Sequence, residues 1–203
     1  EADYGAGRQI HYLRNAAGTV LTPGDTGADD SWLLQPIQLA LAMFQDHPHT
    51  AVWRSTIARV SLASWARPAD ATSSTFVNGA TLSNWIRGSN VEANGAVINH
   101  SRIAPDYSSL IYQNMDHALA GAFSGQAVPQ AAIALLGPVY GAYRSVNYAS
   151  PPYDAPGGTI YRTNSADLYY PQGIDWGTGQ KLPFALVDAE TDAYGIGGTT
   201  AKA

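Results

Sequence analysis

The sequence predicts an all-α fold built from antiparallel helical hairpins, and three observations carry that prediction. Apolar residues recur at helical spacing in successive segments. Those segments are separated by breaks rich in Gly, Pro, Ser and Asn. Neighbouring segments then fall into helix–turn–helix pairs with no internal repeat. At 203 residues the chain is long enough for one domain with a sizeable core.

Residues 1–30 show no sustained period, broken by Gly5, Gly7, Gly18, Gly24 and Gly27, and read as an irregular N-terminal arm. The helical domain is expected over 31–203. Asp25, Asp29 and Asp30 close the arm; they lack the ligand alternation and terminal glutamate of a calcium loop. Capping of the next helix by Asp29, Asp30 or Ser31 fits them better. The first helix is expected over 31–45 with Trp32, Ile37, Ala40, Leu41 and Phe44, Pro36 implying a kink or a later start. Asp46-His47-Pro48-His49 invites a metal reading but offers no further ligand nearby, and is expected to be a helix–helix turn. A second helix is expected over 50–66, with Val52, Ile57, Val60, Leu62 and Trp65 as core, ended by Arg67-Pro68. Residues 69–80 read as a polar loop, and 81–87 as a short helix carrying Trp85, either a sugar platform or a core anchor. Helices follow over 105–124 (Leu110, Ile111, Met115, Leu119, Phe123) and 128–148, the latter bent near Gly137-Pro138. Residues 149–181 form a long aromatic loop that includes Tyr170 and Trp176, and a last helix covers 182–194.

Composition excludes several functions. A net charge of -5 and the lack of any lysine before Lys181 argue against nucleic acid and against a basic membrane-surface patch. No apolar run approaches the length needed to span a bilayer. With no cysteine, thiolate catalysis, disulfides and Cys-based zinc sites are excluded. Only 13% of residues are charged, and the richness in small polar and aromatic residues fits a secreted protein. A chain that opens on Glu1 fits removal of a signal peptide, a pro-region or a preceding domain.

The chemistry is concentrated between Asn90 and Asn114. An Asn94-Gly95 turn leads through Ala96, Val97 and Ile98 to Asn99 and His100; Arg102 follows, and Pro105-Asp106 reads as a helix start. Tyr107 lies in the first turn of that helix and Tyr112 further along it. A histidine, two tyrosines, an arginine and several amides at a loop-to-helix junction suit proton transfer. The bland readings are a buried His100 held by Asn99 or Asp106, core-filling tyrosines, and an Arg102–Asp106 pair.

The run Ala93-Asn94-Gly95-Ala96-Val97-Ile98-Asn99-His100, followed by a tyrosine on a helix, resembles the active-site segment of (α/α)-toroid polysaccharide lyases, the hyaluronate/chondroitin/xanthan lyase group above all. Asn94 stands where those enzymes carry aspartate. The resemblance covers residues 90–114 and implies a partial or reduced (α/α) toroid. A complete toroid has more helices than this chain supplies, so the chain would be a reduced version, or a part or fragment that another chain or domain completes. It implies β-elimination on a uronic-acid-containing polysaccharide, with no metal or other cofactor. Asn90, Asn99 or Arg102 would neutralise the sugar carboxylate; His100 or a tyrosinate would take the proton; Tyr107 or Tyr112 would protonate the leaving oxygen. Trp85, Asn90, Tyr170 and Trp176 are the expected substrate-binding residues. Arg87 with Arg102 would supply the field that draws an acidic polymer. Two other readings remain: a non-catalytic carbohydrate-binding helical module, and a glycoside hydrolase using two of Glu92, Asp106, Asp175 and Glu190.

Overall fold

The structure, a computed structural model, describes residues 10–21, 31–32, 34–99, 102–145 and 181–196. The expectations for Asp25, Asp29, Asp30, His100, Tyr170, Trp176 and nearly all of the 149–181 loop fall outside the described residues. Most described residues are helical. The helices are α1 (Leu34–Met43), α2 (Thr50–Ser64), α3 (Leu82–Trp85), α4 (Pro105–Ser108), α5 (Tyr112–Phe123), α6 (Gln130–Ile133), α7 (Leu136–Ser145) and α8 (Lys181–Ala193). No helix among the described residues is long and apolar enough to cross a membrane.

The all-α expectation needs one correction. Three two-stranded antiparallel ribbons join the helices: β1 (Arg14–Asn15) with β4 (Gly88–Ser89), β2 (Phe76–Val77) with β3 (Ala80–Thr81), and β5 (Ile98–Asn99) with β6 (Arg102–Ile103). Strands of two residues are too short to show a period of two in sequence. The β2–β3 turn was nevertheless written in the chain. Asn78 (φ 52) and Gly79 (φ 90) both take positive φ, the Asn-Gly combination a tight two-residue hairpin requires. Asn78 then bridges to the start of α6: its N–H donates to Gln130 Oε1 (2.9 Å) and its Oδ1 accepts from the Ala131 N–H (3.4 Å).

Helix α2 shows how local chemistry sets an element. The Thr50 hydroxyl donates to the carbonyls of Gln45 (3.0 Å) and His47 (2.6 Å), tying the α1–α2 turn, and the His47 ring stacks on Trp53 at 4.6 Å. Trp53, Ile57 and Val60 repeat at helical spacing and bury against Leu34, Ile37 and Leu41 of α1. Beyond α2, the Asp70 carboxylate accepts from the Arg67 N–H (2.9 Å) and pairs with its guanidinium, closing the turn around Pro68. The larger core gathers around Trp65, Ile86, Ile111, Met115, Leu136, Tyr140 and Tyr143, with α5 packed against α1, α6 and α8.

Helix boundaries differ from the sequence reading where prolines and polar residues intervene. Pro36 sits in the first turn of α1, where its missing N–H costs no hydrogen bond, so it causes no kink. The 105–124 helix is divided by a 3-10 turn at Ser109–Ile111, and the 128–148 helix breaks at Ala134 and Leu135, ahead of Pro138. Val52, expected in the core, is exposed, as are Phe44, Leu119 and Phe123, which fall at helical spacing. On α5 the buried face instead carries Gln113, Asn114, Met115, His117 and Ala118.

Candidate active site

The segment that holds most of the candidate residues is a strap of two small hairpins, the first of which rests its tip on α7. Val91 bridges Val97, and the Asn94-Gly95 tip is tightened by the Ala96 N–H donating to Asn94 Oδ1 (3.0 Å). Gly95 (φ +92) lies directly on α7: a Cβ there would overlap the Pro138 carbonyl. The next ribbon pairs Asn99 with Arg102, so His100 and Ser101 are the two residues between β5 and β6. The Ala104 N–H donates to Val97 O (2.9 Å), and Pro105 opens α4 as the loop-to-helix reading expects.

Asn99 is buried, and its side-chain carbonyl has no hydrogen-bond partner among the described residues. A buried acceptor without a donor costs about 1–3 kcal/mol, so this atom stores an unmet demand beside the predicted base. Arg102 is placed here by its backbone register alone. Tyr107 is half-buried at the edge of the core, its ring 6.4 Å from that of Trp32 at 40°. Trp32 is 47% exposed. Together they form an aromatic shelf beside the strap. Tyr112 opens α5, partly buried against the same core as Tyr107.

Two expected substrate-binding residues are placed elsewhere. Asn90 is fully buried; its Nδ2 donates to His11 O (2.8 Å) and Ala63 O (2.9 Å), and its Oδ1 accepts from the Leu13 N–H (2.8 Å). It pins the N-terminal arm to the end of α2 and has no face to offer a sugar. Trp85 donates its indole N–H to Val77 O (2.8 Å) and packs at the core edge, the anchor reading rather than the platform one. Arg87 is likewise occupied, its Nη1 donating to the carbonyls of Ser83, Asn84 and Ile86 at the end of α3.

Sequence reasoning missed a carboxyl pair. Asp116 on α5 faces Glu190 on α8. Neither carboxylate oxygen of the buried Glu190 meets an N–H or O–H donor among the described residues. The contact between two acids is satisfied only by a proton held between them. Burial, then the Asp116 charge, push the Glu190 carboxyl up to about 8, and burial also raises Asp116. The Tyr194 hydroxyl is raised too, by burial and then by both acids. The signal in the sequence was the charged and polar run Gln113-Asn114-Met115-Asp116-His117 inside a helix otherwise read as core.

Known proteins leave the reading to this geometry: no family model, curated protein or solved structure matches the chain.

Proposed function

We propose that this mostly helical domain acts on a uronic-acid-containing polysaccharide by β-elimination, where the β5–β6 hairpin of the strap leads into α4. The observation that carries the reading is the Trp32–Tyr107 shelf, an exposed indole beside a half-buried phenol on the segment that also holds Asn99, His100 and Arg102. Exposed aromatic faces stack on sugar rings, and a phenol at the edge of such a face is suited to protonate a leaving glycosidic oxygen. In this scheme Trp32 seats the sugar and Arg102 neutralises its carboxylate. His100 removes the proton beside that carboxylate and Tyr107 supplies the acid. Asn99 acts as a positioning residue, since its buried carbonyl, which meets no donor among the described residues, is the acceptor a neutral imidazole needs to hold one N–H and keep its other nitrogen free.

The hydrolase reading draws no support from the described carboxylates. Glu92 pairs with Arg14 at 2.9 Å, and Glu190 is in direct contact with Asp116, whereas a hydrolytic pair stands about 5 Å or more apart. A reduced or partial (α/α) toroid, completed by another chain or domain, fits the proposal and the paired packing of the helices. The test is ultraviolet absorbance of the unsaturated uronate released from polyuronates and glycosaminoglycans. Loss of the signal in Tyr107→Phe and His100→Ala, with binding retained, is expected. An intact polymer that still binds through Trp32 would make the domain a non-catalytic carbohydrate-binding module.

A further inference from the structure

A second site lies between α1, α2, α5 and α6, apart from the strap. Here the helices leave an open pocket of about 80 Å³. That is room for a small ligand of a few non-hydrogen atoms. Most of its wall is apolar and small, from Ala58, Ala120, Ala131 and Ala132 among others. Against that background two buried polar groups, one each from α2 and α5, lack partners among the described residues, and an exposed arginine stands at the pocket's edge. Ser61 is 1% exposed, and its hydroxyl has no partner among the described residues. The His117 imidazole is buried and makes no hydrogen bond or ion pair among them either. Arg54 lines the pocket with no carboxylate paired to it among the described residues, and no acid lines the pocket.

We propose that this pocket binds a small hydroxycarboxylate, its carboxylate on Arg54 and its hydroxyl exchanging hydrogen bonds with Ser61 and His117. The chemistry selects this class. A guanidinium with no carboxylate paired to it among the described residues matches one negative charge. A hydroxyl and a neutral imidazole each donate and accept, as a ligand hydroxyl does. The alanine wall accommodates a short alkyl chain and repels a second charge. Burial and the Arg54 charge hold the His117 imidazole down at about 4, so it is neutral near pH 7 and keeps both capacities.

The test uses the full chain, with lactate and glycolate as probes and the His117 ring signals followed by NMR. Those signals are assigned among the five histidines with His117→Gln. Saturable shifts with lactate are expected, weakened about tenfold in Arg54→Gln by loss of the charge-assisted bonds. Arg54 is exposed, so that variant keeps the fold. Ser61→Ala, which removes one hydroxyl, is expected to weaken binding severalfold. The proposal is overturned if lactamide shifts His117 as well as lactate does, if inorganic phosphate binds more tightly than lactate, or if no probe gives a saturable shift. Failure of the lyase assay leaves this prediction standing, because the two sites share no residue.

Discussion

Replacing Glu190 with glutamine isolates the energetics of the buried carboxyl pair. Its carboxyl rises from 4.5 to about 8 in the native protein. The native state therefore keeps a proton that the unfolded chain has released. The stabilisation is complete below pH 4.5 and is lost as pH climbs through about 8. His117 moves the other way, from 6.5 down to about 4, so its own contribution is complete above pH 6.5 and is lost as pH falls through about 4. The interval above pH 6.5 thus reports on the carboxyl pair alone of these two. At about 1.4 kcal/mol per unit, the distance from pH 6.5 to the Glu190 value sets a ceiling of about 2 kcal/mol. Asp116 is only half-buried, and water reaching it reduces the expected loss to about 1 kcal/mol. Urea midpoints measured near pH 6.5 and about pH 9 should fall accordingly in the wild type. The Glu190→Gln variant, which mimics the protonated acid but cannot release its proton, should show a flat profile over the same interval. A wild-type midpoint that holds steady, or a glutamine variant that keeps the slope, would refute the shared-proton account.

Three further outcomes follow from named contacts. Gly95→Ala places a methyl group against the Pro138 carbonyl at a positive φ, and should cost about 2 kcal/mol or more in chemical denaturation. Asn90→Ala strands the Leu13 N–H and the His11 and Ala63 carbonyls, and should cost about 3 kcal/mol while freeing the N-terminal arm to proteolysis. Between pH 6.5 and 4.5 the His117 and Glu190 slopes oppose each other, so His117→Gln should give a thermal midpoint that rises relative to the wild type's as pH falls across that interval.

The helices were legible because their apolar spacing runs over several turns. Ile57 and Val60 mark a face that their spacing predicts, although Trp53 rather than the expected Val52 is the buried residue, and Arg67-Pro68 marks an end. The ribbons were not, because a pair of two-residue strands carries no period, although Asn78-Gly79 announced one of them in the same way that Asn94-Gly95 announced the strap. Side-chain fate was the harder problem. Asn90 looks like a binding amide in sequence, and only the approach of His11, Leu13 and Ala63 from distant parts of the chain shows it to be a brace. Phe123 looks like core by spacing, but α5 ends at the surface and leaves it 84% exposed. The Asp116–Glu190 contact joins α5 to α8, a pairing of remote residues that no local pattern encodes.

The seat of Gly95 on Pro138 also bears on the order in which the molecule assembles. The strap and α7 are far apart in sequence, so the turn gains its platform only after a long loop has closed, a step that comes late in folding relative to the local α1–α2 hairpin. The same dependence runs in reverse. A transient opening of α7 would lift the strap with it, exchanging the Ala96 and Ala104 amides together while the amides of α2 stay protected. On that account, opening of the proposed site would be governed by α7, a helix that carries none of its residues.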